Sequence, residues 1–231
     1  NVGYVDAIDA KRYLVAQQPE RVRRWRVNNN LPGLRDFCPL VWLGLEAERG
    51  WLYDVAAGVQ QLDDTYGTEL LLRSAAWLTL KESRASFAIE HEAEKKDRVQ
   101  RFAAAIGAFS GQMQDPLSAH NLRTRQQAVL GDGARRLGIR RSPVFIGQSS
   151  LRAQVVHYIA PSEGLVDGML DALRGFELRT RGANAVARAA AVSFAFVYLH
   201  PLADGNGRIH RFLINHLLAA DGAVPPDITI P

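Results

Sequence analysis

Residues 200–211 of this 231-residue chain have the sequence HPLADGNGRIHR, and our predictions of the fold and of the chemistry rest mainly on this stretch. An apolar run at residues 185–199 precedes it and predicts a buried helix that ends at His200. Pro201 cannot continue that helix, because it lacks a backbone N–H and its ring clashes with the preceding turn. A new helix is predicted from about Gly207. The stretch therefore predicts a tight loop between two helices.

The middle of this loop suits a bound phosphate group and its metal ion. Asp204 offers a hard carboxylate oxygen of the kind that Mg²⁺ prefers. A tight turn at a helix N-terminus, where backbone N–H groups can converge on an anion, is predicted for Gly205, Asn206 and Gly207. The loop thus combines a metal-binding oxygen with an anion-binding backbone.

Two arginines and a histidine complete the pattern. Arg208 and Arg211 lie on one face of the predicted helix, and a guanidinium group can bind phosphate oxygens through two hydrogen bonds. His200 lies where it could take the proton of an attacking hydroxyl. Each feature alone is typical of a helix cap, a turn or a solvated helix face. Their combination within one short stretch favours a site that handles phosphate groups.

The rest of the chain has a mostly helical pattern with one short hairpin. Apolar residues at helical spacing predict helices up to about Glu90 and over residues 99–109, 117–130, 164–176 and 183–199. Residues 143–147 and 155–159 are β-branched and aromatic and flank a polar turn, which predicts two paired strands. The predicted fold class is therefore mainly α, a helical bundle with one small β-hairpin.

Composition and charge exclude several classes of protein. A single cysteine, Cys38, excludes a disulfide framework and a cysteine-rich zinc site, and it fits a reducing cytoplasm. The net charge of +4 is small for this length, and we interpret the basic run at residues 21–26 (RVRRWR) as a solvated helix face. The apolar run at residues 185–199 is shorter than the roughly 20 residues that span a bilayer. We expect a cytoplasmic protein that binds neither membranes nor specific nucleic acid sequences.

The stretch at residues 200–211 resembles the signature of the Fic family (filamentation induced by cAMP), H-P-F-x-D/E-G-N-G-R-x-x-R. It matches every fixed position except one, because Leu202 stands where the family usually has Phe. We expect Leu202 to anchor the loop in the core. The resemblance implies a Fic-type helical bundle, with a core domain at residues 96–231 and an N-terminal helical region at residues 1–95.

The predicted hairpin resembles the flap of that family, which aligns a target segment by strand addition. This implies that the target docks at Val144, Ile146 and Gly147. Partners implied by the family are ATP and a target protein with a Tyr, Ser or Thr hydroxyl. Self-modification and a homodimer are further expectations.

The family resemblance also implies a reaction and a role for each motif residue. It implies a protein adenylyltransferase (AMPylator), a nucleotidyltransferase that moves AMP from ATP to a hydroxyl of the target. His200 would be the general base, and Asp204 would hold Mg²⁺ on the α- and β-phosphates. The implied phosphate contacts are an anion hole of Gly205, Asn206 and Gly207, with Asn206 on the α-phosphate, and Arg208 and Arg211 on the β- and γ-phosphates.

A second motif lies far upstream of the first. Ser86 to Glu90 (SFAIE) resembles the inhibitory helix of the family, S/T-x-x-x-E-G/N, although His91 departs from the last position. The resemblance implies autoinhibition, in which Glu90 pairs with Arg211 and blocks productive binding of ATP. Taken without the resemblance, Glu90 would belong to the charged run at residues 90–98, which is typical of a solvated surface.

Three alternatives stay open at this point. The same site could remove AMP from a modified protein, or it could transfer another nucleotide or phosphate group. A degenerate Fic domain could bind a nucleotide or a partner without turnover, although the intact His200, Asp204 and Arg211 count against that reading. Nucleic-acid binding through residues 21–26 would show as salt-dependent affinity.

Overall fold

The described part of the chain is built mainly of helices. The computed structural model describes residues 3–44, 50, 53–89, 100, 104, 110–131, 138–149, 154–226 and 228–230. The helices within these ranges are α1 (Val55–Tyr66), α2 (Thr68–Ile89), α3 (Ala119–Leu130), α4 (Glu163–Arg179), α5 (Ala185–Leu199) and α6 (Asn206–Ala220). The strands are β1 (Val5–Asp6), β2 (Glu20–Val22), β3 (Val27–Asn29), β4 (Phe145–Ser149) and β5 (Gln154–Ile159). The predicted mainly-α fold is confirmed.

Helices α5 and α6 form the centre of the core. The sequence of α5 is almost entirely apolar, and Asn184 caps its first turn by accepting a hydrogen bond of 2.9 Å from the Ala187 N–H. One face of α6 is apolar and packs against α5, with α3 and α4 alongside. The residues at the centre of this packing are Leu173, Phe176, Val192, Phe196, Leu199, Ile209 and Leu213. The pair therefore holds the connecting loop between two rigid elements.

The one charged residue of α5 is neutralised inside the protein. Arg188 is 1% exposed and lies 2.5 Å from an Asp221 carboxylate oxygen, and it also pairs with Glu177. A buried charge is tolerated when it is paired and hydrogen-bonded. These pairs join the C-terminal ends of α4 and α6 to the beginning of α5, at the opposite end of α5 from residues 200–211.

The predicted hairpin is present and pairs antiparallel. Phe145 pairs with Ile159 and Ile146 with Tyr158, and the register shifts between Ile146 and Gly147. Both strands begin close to their predicted positions. A side chain at Gly147 would press its Cβ against the Val155 carbonyl oxygen, closer than van der Waals contact allows. Glycine at this position therefore lets the two strands approach at the bulge.

The N-terminal part contains a small sheet that the sequence did not predict. Strands β1, β3 and β2 lie in that order, with β1 parallel and β2 antiparallel to β3. The interpretation of residues 21–26 as a helix face is wrong, because this run forms the end of β2 and the turn before β3. Arg21 and Arg26 stack on the Tyr4 ring at 5.3 and 5.7 Å. Strands of two or three residues are too short to show an alternating pattern, so the sequence carried no signal for them.

The N-terminal part packs against the rest of the chain. Leu14 is buried in the main core, and the Gln17 N–H donates to the Arg179 carbonyl at 2.8 Å. The predicted helix over residues 99–109 and the predicted domain division at residue 95 fall largely or wholly outside the described residues. No helix in the described ranges is both long enough and apolar enough to cross a membrane.

Candidate active site

The loop after α5 is shaped by two residues with positive φ angles. His200 is the C-cap of α5 and has a left-handed backbone conformation, with φ 49° and ψ 53°. This geometry turns the chain out of the helix at the residue before Pro201. Gly205 has φ 82° and precedes the first turn of α6. Glycine adopts this conformation at low cost, and α6 therefore begins directly after the loop.

A cavity of about 480 Å³ lies at this loop and collects most of the predicted site. Its lining residues are Val144, His200, Leu202, Ala203, Asp204, Gly205, Asn206, Gly207 and Arg208. The first turn of a helix leaves backbone N–H groups without helical partners, and here that turn lines the cavity. The structure thus brings the predicted base, carboxylate, anion nest, one arginine and one flap residue to the same space.

Other predicted residues lie outside this cavity or outside the described part of the chain. Arg211 is described and half-buried one turn farther along α6, but it does not line the cavity. Ile146 and Gly147 lie on the hairpin beyond Val144. Ser86 belongs to the last turns of α2, but its side chain lies outside the described residues, as do Glu90 and His91.

The side chain of Asn206 has a partner that we did not expect. Its Oδ1 accepts from the Leu202 N–H at 2.9 Å, and its Nδ2 donates to the Leu202 carbonyl at 2.8 Å. Asn206 is 3% exposed, so this pair of bonds is shielded from water. The contact of Asn206 with phosphate stays a prediction. The amide itself closes the loop, and Leu202 is buried in the core as predicted.

Two segments that the sequence analysis missed hold the loop from outside. Gln126 on α3 donates to the Asp204 carbonyl at 2.8 Å and accepts from the Gly138 N–H at 2.6 Å. The Ala203 N–H donates to the Gly138 carbonyl at 3.0 Å, and Ile139 forms an antiparallel bridge with Leu202. Their sequence separation, 78 residues for Gln126 and Asp204, explains why no local pattern predicted them.

The Asp204 carboxylate is accessible. Its side chain is 50% exposed, and Oδ1 lies 3.4 Å from Nη2 of the buried Arg208. Among the described residues no three His, Cys, Asp or Glu side chains cluster in a way that would hold a metal ion. A lone exposed carboxylate fits Mg²⁺ that keeps several waters and is held mainly by substrate phosphates. The donor set is therefore consistent with magnesium that arrives with a nucleotide.

His200 has the electrostatic character of a neutral base. Burial lowers the pKa of its imidazole, and the positive charge of Arg140 lowers this pKa further. A hydrogen bond with the Val197 backbone acts in the opposite direction and raises the pKa. An imidazole with a lowered pKa is uncharged near neutral pH and can accept a proton.

Comparison with known proteins gives the same assignment as the motif. Residues 116–218 match the model of the Fic/DOC family, and this range includes α3, the hairpin, α5 and the motif loop. A search of the curated proteins found no match. Members of the Fic family are generally transferases that act on proteins. The match covers less than half of the chain, and together with the arrangement of the motif residues around one cavity it supports a Fic domain at residues 116–218.

Proposed function

We propose that this protein is an adenylyltransferase that transfers AMP from ATP to a hydroxyl group of a target protein. The observation that carries the proposal is the cavity shared by His200, Asp204, Arg208 and the first turn of α6. A base, a carboxylate, backbone N–H groups and a guanidinium are the groups that such a transfer requires, since it depends on positioning and on electrostatic stabilisation.

The reaction follows from the roles of these groups. The target hydroxyl attacks the α-phosphorus of ATP, the new P–O bond forms, and the bond to the pyrophosphate leaving group breaks. His200 accepts the hydroxyl proton as the bond forms. The N–H groups of Gly207 and its neighbours, together with Arg208, stabilise the negative charge on the phosphate oxygens. Arg211 serves the terminal phosphates in this proposal.

In this proposal the protein contributes a single carboxylate to the binding of magnesium. When bound, Mg²⁺ neutralises phosphate charge and orients the oxygens of the nucleotide. Asp204 is the residue that would hold it, because its carboxylate is exposed at the cavity and is only loosely paired with Arg208.

We propose that the hairpin docks the target. Among the described residues β4 and β5 pair only with each other, and an extended peptide can add to a free strand edge through main-chain hydrogen bonds. Ile146 and Val156 are exposed, which leaves side chains available to contact a target. Val144 lines the cavity at the base of the hairpin. A strand added here would run toward His200.

We further propose that Glu90 restrains the enzyme by pairing with Arg211. Helix α2, which ends at Ile89, contacts the C-terminal segment through a hydrogen bond of 2.6 Å between the Thr79 and Thr229 hydroxyls. That segment in turn bonds to α6, because the Asn215 Oδ1 accepts from the Ile230 N–H at 2.7 Å. These contacts connect α2 to the helix that carries Arg211. A carboxylate on Arg211 would occupy donors that the terminal phosphates of ATP need.

Intact-mass spectrometry after incubation with Mg-ATP tests this function. The proteins are wild type, Glu90→Gly, the double variant Glu90→Gly/His200→Ala, and Glu92→Gly as a matched control from the same charged run. Each is incubated alone and with a protein extract supplied with ATP labelled on the α-phosphate. We expect adenylyl groups to accumulate with Glu90→Gly, less with wild type and Glu92→Gly, and not with the double variant.

Different outcomes would point to different errors. Equal modification by Glu90→Gly and by wild type would contradict autoinhibition by Glu90 but would still support adenylyl transfer. Addition of phosphate alone would replace adenylyl transfer by phosphate transfer. Absence of any modification, together with release of AMP from a modified protein, would indicate that the enzyme removes AMP and does not add it.

A further inference from the structure

Arg140 is a buried arginine that joins the end of α5 to both ends of the hairpin. It is 1% exposed and lies in the segment between α3 and β4. Its Nε donates to the His200 carbonyl at 2.7 Å, and Nη2 donates to the Leu199 carbonyl at 3.3 Å. Nη1 donates to the Ser142 carbonyl at 3.0 Å and Nη2 to the Pro161 carbonyl at 2.5 Å. One guanidinium group thus contacts four backbone carbonyls.

These carbonyls belong to two parts of the molecule, the C-terminal end of α5 and the two ends of the hairpin. Leu199 and His200 form the C-terminal end of α5, where carbonyl groups lack helical partners and attract a positive charge. Ser142 and Pro161 flank the hairpin, whose base is closed by a hydrogen bond of 3.0 Å from the Ala160 N–H to the Val144 carbonyl. The planar fork of arginine can bind several acceptors in a fixed geometry, which the ammonium group of lysine cannot reproduce.

The surroundings strengthen this connection. The Arg140 N–H donates to the Pro201 carbonyl at 2.9 Å, so its backbone is also fixed to the motif loop. Farther along the hairpin, the Tyr158 hydroxyl donates to the Tyr198 carbonyl on α5, and the two rings lie 5.7 Å apart. The hairpin is therefore attached to the last turns of α5 near its base and within β5.

We propose that Arg140 is a positioning residue that sets the hairpin relative to His200, so that a docked hydroxyl meets the base. This inference rests on the proposed function, because it assumes that a target docks on the hairpin. Arg140 acts through the backbone at residues 142, 161, 199 and 200 and touches neither substrate. Misplacement of reacting atoms by about 1 Å can cost about 10²-fold in rate, so a small shift of the hairpin matters.

The test compares Arg140→Lys with Arg141→Lys. Lysine keeps the buried charge but cannot bond to all four carbonyls. Arg141 is the matched control, because it is the neighbouring arginine and forms an exposed ion pair of 2.6 Å with Asp167. Both variants are made in the Glu90→Gly background. The measurements are the self-modification rate at saturating Mg-ATP, the ATP concentration for half-maximal rate, and amide hydrogen exchange.

For Arg140→Lys we expect the self-modification rate to fall about tenfold or more, with the ATP requirement changed less than about twofold. We expect exchange of the Ala160 amide to rise about tenfold, while the Leu213 amide in α6 exchanges as in the parent protein. Arg141→Lys should change none of these quantities. A rate loss accompanied by an equal rise in the ATP requirement would contradict a role in target positioning.

Amide hydrogen exchange tests the role of Arg140 even if the protein shows no transfer activity. If the parent protein transfers no adenylyl group, the proposed function fails, but exchange at Ala160 still reports whether Arg140 holds the hairpin. Unchanged exchange at Ala160 in Arg140→Lys would overturn the proposal. Faster exchange at Leu213 as well would also overturn it, because Arg140 would then stabilise the whole core and not the hairpin in particular.

Discussion

Asn206 and Leu202 are joined by two reciprocal hydrogen bonds, of 2.9 Å from the Leu202 N–H and of 2.8 Å to the Leu202 carbonyl. One side-chain amide here satisfies both backbone groups of a buried residue, and such groups are costly when they are left unpaired. The ring that results spans the five residues 202–206 and sets the path of the chain past Asp204 and into α6.

Replacing Asn206 by alanine should therefore destabilise the protein and disturb the loop. The change leaves the Leu202 N–H and carbonyl unpaired in a buried place, which costs about 1–3 kcal/mol of folding free energy. The KM for ATP should rise as well, since the N–H groups of the following turn lose their fixed position. Denaturant unfolding and initial-rate kinetics measure the two effects. The control is Asn28→Ala, which removes an exposed hydrogen bond to Asp6 and should have little effect on either quantity.

The pH dependence of transfer should reflect the neutral character of His200. Burial lowers the pKa of the His200 imidazole below its ordinary value of 6.5. The imidazole therefore stays unprotonated as the pH falls to 6.5, and protonation removes the base only at lower pH. The acid limb of the rate profile should lie below pH 6.5. His210→Gln should leave this limb in place, although burial lowers the pKa of His210 too. A limb above pH 6.5 would show that His200 is not the titrating base.

Gly147→Ala should impair target docking and spare the nucleotide site. Its Cβ would collide with the Val155 carbonyl oxygen, so the hairpin must shift at the bulge. Modification of protein should fall about tenfold, because the acceptor hydroxyl is misplaced, while the Kd for ATP stays the same. Gly164→Ala is the control, since nothing lies within 4 Å of a Cβ there. Equal loss in both variants, measured by labelled-ATP transfer and calorimetry, would argue against a docking role for the bulge.

Magnesium should bind this protein only together with nucleotide. Asp204 is a single carboxylate, and one carboxylate is a poor site for an ion that prefers to keep its waters. Calorimetry should detect little binding of Mg²⁺ to the free protein and clear binding of Mg-ATP. Asp204→Asn should reduce transfer by about 10²-fold or more, since the charge on the phosphates is then less well stabilised. Tight binding of Mg²⁺ alone would contradict this account.

The sequence predicted the parts of the site that depend on local signals. An apolar helix, a proline after His200, and glycines around Asn206 each have a local conformational meaning, and the structure places the helix ends within two residues of expectation. The family match over residues 116–218 agrees with the resemblance of the motif.

Long-range contacts were not predictable in this way. Gln126 and Arg140 hold the loop through backbone carbonyls that are distant in sequence, and such contacts leave no periodic or spacing signal. The parallel pairing of β1 with β3 also joins residues that are distant in sequence, since Val5 pairs with Val27. The inhibitory role of Glu90 stays a prediction, because that residue lies outside the described part of the chain.

Transfer of label from the α-phosphate of ATP to protein, measured with and without the His200 imidazole, tests directly whether His200 is the base of an adenylyl transfer. We expect Glu90→Gly to transfer this label and the added His200→Ala substitution to lower the rate by about 10²–10⁴-fold, while calorimetry shows nearly unchanged binding of ATP. We also expect no transfer of label from the γ-phosphate. Transfer at an undiminished rate by the His200→Ala protein, or transfer of the γ-label alone, would contradict adenylyl transfer with His200 as the base.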